Sequence, residues 1–290
     1  MNSLAFSWNI INDLHLMLQY SFMRNAFEAG TIVAVVAGVV GYFIVIRKSA
    51  FAAHALSHIG FAGAAGAVLA GLTPIVGLLA FTMGGGVAMS TLGRRAVNRD
   101  VQIGIVLAFM LGLGVLFISL YTGYATEAYS ILFGEILGIS SRDVLVTLIA
   151  AFVLLGAIAV IYRPLLFSSL SEDIAEARGI SIFWFGIIFM LLVAIATSVA
   201  VQVVGVLLIF ALMVTPAAIA QRISRRPAHG ILISVLVALF ATWIGLFTSF
   251  YLPYPVSFFI TTITFAGYSA VRLIENISLK NKARLMSEDI

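Results

Sequence analysis

Two histidines four residues apart, His54 and His58 in FAAHALSHIGFAG, are the strongest chemical feature of this chain. At i and i+4 on a helix they share one face and stack one turn apart. That spacing suits two imidazoles converging on one cation, as zinc and similar metals accept. The plain alternative is a pair of rings hydrogen-bonded to neighbouring helices. The chain has only 4 histidines, and two at this spacing inside an apolar segment favour a cation site. A third ligand has to come from elsewhere. Glu28 and Glu135 are the candidates, Glu28 ahead of Glu135, and either could instead be a surface carboxylate that gathers cations.

The elements that must position these rings are membrane spans. Of 290 residues 62% are hydrophobic and 10% charged, with a mean hydropathy of +1.14. A soluble domain carries about 25% charged residues, so lipid is the main solvent. A bilayer core needs roughly 20 apolar residues per helix. Segments 26–46, 51–72, 74–92, 101–121 and 144–162 meet that length, as do 182–201, 203–220, 231–251 and 256–271. The expected fold is all-α, a single transmembrane helical bundle over 1–290 with about nine spans, eight being possible. The first twenty or so residues lack a basic n-region and are broken by Asn9, Asn12, Asp13 and His15. They read as an interfacial amphipathic helix rather than a signal peptide. With no cysteine, thiolate metal sites and disulfides are excluded.

Lysine and arginine fall almost entirely into alternate loops, Arg24 and Arg142 excepted: Arg47 and Lys48; Arg94, Arg95 and Arg99; Arg163 and Arg178; Arg222, Arg225 and Arg226; then Arg272, Lys280, Lys282 and Arg284. By the positive-inside rule these loops are cytoplasmic, and nine spans put the N-terminus outside. The net charge of +4 therefore reports orientation, not nucleic-acid binding. Counting from Arg47 at about 1.5 Å per residue, His58 lies roughly 16 Å into the membrane.

Between two spans, RPLLFSSLSEDIAEARGI has a polar middle with helical composition. Ser171 with Glu172 and Asp173 suits a helix start, and Gly179 a helix stop. On composition alone this cytoplasmic helix could equally be an inert connector. Gly60, Gly63 and Gly66 follow the histidines and predict close central packing. Gly84, Gly85 and Gly86 predict a loosened third span, and Pro216 a kink or end in the seventh. Gln202, where the sixth span turns into the seventh, reads as an interhelical amide. The chain contains no GxxxxGK[ST] motif, so it cannot hydrolyse ATP by a phosphate loop, and the lack of HExxH, GxSxG and paired intramembrane aspartates weighs against an intramembrane enzyme.

On these residues the chain resembles the permeases of zinc/manganese-type ABC importers. FMRNAFEAG, IRKSAFAAHALSHIGFAGAAGA, ILFGEILGIS, LSEDIAEARGI and QVVGVLLIFALMVTPAAIA correspond in order and spacing, the second being the most specific. The resemblance implies a homodimer in the bacterial cytoplasmic (inner) membrane, with two ATPase subunits that bind ATP and an extracytoplasmic metal-binding protein. It makes Glu172–Gly179, including Asp173 and Ala175, the coupling helix that meets the ATPase. The cargo it implies is a divalent metal ion, with no intrinsic cofactor. Where family members carry an acid four positions before the signature histidine, this chain has His54, which shifts preference towards zinc and leaves manganese or iron as alternatives. Two rival readings remain: a stand-alone proton-coupled carrier using His54 and His58 as a relay, and a permease for a metal chelate.

Overall fold

The computed structural model describes residues 10–92, 99–120, 134, 136–170 and 172–288. Its helices in chain order are α1 (Ile10–Gln19), α2 (Ser21–Ile46), α3 (Ala50–Leu69), α4 (Pro74–Leu92) and α5 (Arg99–Leu120). A 3-10 turn (Ile136–Gly138) precedes α6 (Ser141–Leu170), α7 (Glu172–Ala177), α8 (Ile182–Ile223), α9 (Pro227–Tyr251) and α10 (Val256–Glu288). Among the described residues eight helices are long and apolar enough to cross a membrane. The chain is an all-helical integral membrane protein. The short α1 packs against α2 and buries Asp13 and Met17.

The expected sixth and seventh spans form one element, α8, of 42 residues. A straight helix of that length would run about 63 Å, twice a hydrocarbon core of about 30 Å. It does not run straight, because Gly205 has φ 81° and ψ 164°. Near its start, the Phe189 ring lies under the Arg47 guanidinium at the C-terminal end of α2. At the break, Gly134 approaches Val204 and Gly205 so closely that a Cβ on it would fall 2.4 Å from the Val204 carbonyl carbon. The adjoining Ile136 packs near Gly30, in the N-terminal half of α2. Beyond the break, Met213 meets Gly41, and Ala217 and Ala220 pack on Tyr42. The two limbs of α8 therefore run in opposite senses alongside α2.

Two expectations are corrected here. The joint falls at Gly205 rather than Gln202, with no loop, and Gln202 is exposed. Pro216 does not end the helix, which continues to Ile223 with Gly205 as its non-helical residue. Glycine reaches positive φ without a steric penalty, whereas proline holds φ near the helical value. Gly84, Gly85 and Gly86 lie within a continuous α4.

Helices α2, α3 and α8 form the centre, and α5 and α10 the periphery. At the α3–α4 crossing, a Cβ on Gly63 would lie 2.2 Å from the Gly77 carbonyl oxygen. Only bare backbones fit there. Gly60 faces Thr82 of α4 and Gly66 faces Phe117 of α5.

Candidate metal site

His54 and His58 project from α3 with ring centroids 4.6 Å apart and planes at 83°. The Phe210 ring, on the second limb of α8, stands 4.7 Å from His54 and walls off one side. Both residues are half-buried. Their Nδ1 atoms are buried and find no hydrogen-bond partner among the described residues. An unpaired polar atom inside an apolar bundle is costly, so the two Nδ1 atoms stand out from the apolar groups around them. Neutral imidazole offers a lone pair to a transition-metal ion, and an aromatic wall limits competition from water.

The surroundings stiffen this helix. Ser57 Oγ donates to the His54 carbonyl at 2.7 Å. Deeper in the bundle, Thr82 of α4 and Ser198 of α8 share a hydroxyl hydrogen bond of 2.7 Å, beside Gly60. These groups are buried and tie α4 to α8 next to the histidine helix.

The structure does not bring Glu28 to the histidines. It lies exposed in the N-terminal third of α2, in an apolar groove with Thr31 and Trp243, whereas α3 starts beyond the opposite end of α2. No group of three or more His, Cys, Asp or Glu side chains forms among the described residues. Glu135 lies outside the described residues, as do Ser171 and the side chains of Glu172 and Asp173.

The short helix α7 forms where the polar loop predicted one. Gly179, at φ +75°, closes it with Gly179 N–H donating to the Glu176 carbonyl and Ile180 N–H to that of Ala175. Ala175 is fully buried, seating α7 against the bundle. Arg178 stacks over Phe167 of α6 at 4.5 Å. The sequence reading missed Phe210, whose apolar context carries no signal. It also missed the partners of Arg47, taken up below.

The fold is that of a polytopic helical membrane protein, with two stacked imidazoles inside the bundle and a short polar helix seated against it. The sequence model described as ABC 3 transport family matches residues 19–272, and the chain belongs to that family. It is 30% identical over 235 residues to the manganese transport system membrane protein MntC of Listeria monocytogenes, covering 81% of this chain and 84% of that relative. Its identity to the MntC of Halalkalibacterium halodurans is 34% over 212 residues, 72% of each chain. The solved structure of PsaBC from Streptococcus pneumoniae in complex with Fab matches with a TM-score of 0.81 and 27% identity, over 90% of this chain and 95% of that one. A metal-chelate type ABC transporter in an inward-facing conformation shares the fold, with a TM-score of 0.70 at 13% identity over 93% and 91% of the two chains.

Proposed function

We propose that this chain is the membrane-spanning permease subunit of an ABC importer for a divalent transition-metal ion, acting as a homodimer in the bacterial cytoplasmic membrane. The observation that carries the cargo class is the pair of unpartnered Nδ1 atoms on His54 and His58. Two imidazoles from one chain leave a coordination shell incomplete, and a second copy would bring another pair. An extracytoplasmic binding protein would hand over the ion. Two cytoplasmic ATPases, docked on α7, would drive the change from outward to inward access. The family match supports this reading over a stand-alone proton-coupled carrier.

The donor chemistry favours zinc, because two imidazoles, with no carboxylate beside them among the described residues, suit a borderline cation better than a hard one. Manganese is the second reading, supported by the names of the relatives. Uptake of zinc and manganese into proteoliposomes holding the chain and its ATPase separates the two. Zinc uptake that competes out manganese supports the first reading, and the reverse order supports the second. Nucleotide-independent uptake by the purified chain would reject the ABC assignment.

A further inference from the structure

Arg47 closes α2 and touches the helices on both sides of α7. Its Nη1 donates to Ser168 Oγ at 3.0 Å and to Ser169 Oγ at 3.3 Å, both in the last turn of α6. Each of those hydroxyls donates its own hydrogen to the Leu165 carbonyl, leaving its lone pairs for the guanidinium. The face of the same guanidinium lies 4.7 Å from the centre of the buried Phe189 ring, in α8. One planar cation thus holds the helix that enters α7 to the helix that leaves it. A lysine, as a point charge, cannot donate in-plane and stack at once.

The backbone of Arg47 leads directly to the histidines. Its carbonyl accepts the Ser49 hydroxyl at 3.1 Å, and Ser49 N–H reaches back to the Ile44 carbonyl at 2.9 Å. Between them Lys48 takes φ 52°, which an L-residue keeps only where its surroundings hold it. Ser49 is buried and its carbonyl accepts from Ala53 N–H, one residue before His54. Elsewhere α2 and α3 scarcely touch, so this turn is their principal join. At the other end, Ala175 and the Arg178–Phe167 stack fasten α7 to the same last turns of α6.

We propose that Arg47 is a positioning residue that transmits displacement of α7, through Ser168, Ser169 and Phe189, to the tight turn from which the histidine helix starts. This rests on the reading of α7 as the ATPase-docking helix. A merely structural staple would affect folding alone. A transmitting one sets how many ions move per nucleotide spent.

The test uses the full chain with its ATPase in proteoliposomes, measuring zinc ions imported per ATP hydrolysed. Zinc binding to the detergent-solubilised permease and its melting temperature are followed in parallel. R47Q, R47K and the double variant S168A/S169A are compared with R163Q, an exposed arginine on the same helix end. For R47Q and R47K the expected result is wild-type zinc binding and ATPase association, with ions per ATP reduced about tenfold, a typical coupling between two sites. S168A/S169A should fall in the same direction by less, and R163Q should match wild type. A wild-type ratio in R47K and S168A/S169A overturns the proposal, even if R47Q fails to fold. Charge reversal at Glu172 and Asp173 separates the two layers. If that variant keeps both association and coupling, α7 is not the docking helix and the proposal falls with it. If it loses association while R47K keeps association but loses ions per ATP, both stand.

Discussion

Helices α3 and α5 lie side by side, yet 72% of the most apolar stretch of α3 is buried inside the protein against 11% for α5. The more buried helix is the less hydrophobic of the two. In water the order would be reversed. In lipid, apolar surface gains nothing by leaving the solvent, so the interior goes to helices whose small residues allow close contact and whose polar groups need partners. Helix α3 has both, with glycine and alanine along its length and His54, Ser57 and His58 near its start. Helix α5 offers Val101, Ile105, Phe109 and Val115, all more than 60% exposed. The comparison ties the candidate site to packing: the imidazoles lie on the helix whose bare backbone meets α4 at Gly63 and Gly77.

The comparison breaks first at its tightest point. Gly63→Val would push a branched side chain into the Gly77 carbonyl, where backbone cannot yield. The expected cost is about 3 kcal/mol or more, with loss of the monodisperse peak in detergent chromatography. A Cβ on Gly112 of α5 would meet nothing within 4 Å, and Gly112→Val should elute as wild type. Equal tolerance at both sites would show that α3 does not pack as described.

The histidines come next. His58→Ala should reduce ATP-driven zinc uptake by about a hundredfold or more, while the melting temperature changes little, because a half-buried ring in contact with His54, with no hydrogen-bond partner for its own Nδ1 among the described residues, holds little structure. His54→Asp sharpens the contrast by adding a hard oxygen donor, and the zinc-to-manganese uptake ratio should fall about tenfold. A ratio unchanged by His54→Asp would place selectivity elsewhere. Acid should mimic the alanine variant. Protonated imidazole cannot bind metal, so uptake is expected to be full above the imidazole range and to fall as pH drops below about 6. A flat profile down to pH 5 argues against histidine ligands.

Much of this arrangement was legible in the sequence, for identifiable reasons. Long apolar runs must be helices in lipid, i,i+4 spacing fixes a shared face, and Gly179 after an acidic start marks α7. The joint in α8 was not legible. A polar residue draws attention, so Gln202 attracted the boundary, while a lone glycine in VQVVGVLL carries no hydropathy signal. Its role comes from backbone sterics against Gly134, a distant residue. Glu28 reads as a third ligand or as a surface carboxylate; counting residues already puts it near the outer end of its span, and it lies there, exposed and away from the histidines. The Arg47 contacts were equally hidden, because Ser168 is 121 residues away and serine is unremarkable in any loop.

The mildest test asks whether a polar pair beside the histidine helix matters more than a bulky residue facing lipid. Thr82→Val removes one hydroxyl of the Thr82–Ser198 bond without changing side-chain shape, and Ser198 can still donate to the Ala194 carbonyl at 2.9 Å. Interhelical hydrogen bonds in membranes contribute about 0.6 kcal/mol on average, so the expected loss is about 0.5–1 kcal/mol, read as a small fall in detergent melting temperature. Phe109→Ala removes far more atoms, but from a ring that is 66% exposed on α5. Its cost should stay below about 0.5 kcal/mol, as for a surface substitution. If Phe109→Ala proves the more damaging, α5 is covered by another protein surface rather than lipid. A second copy of the chain would then be the first candidate, and crosslinking between cysteines introduced along α5 would identify it.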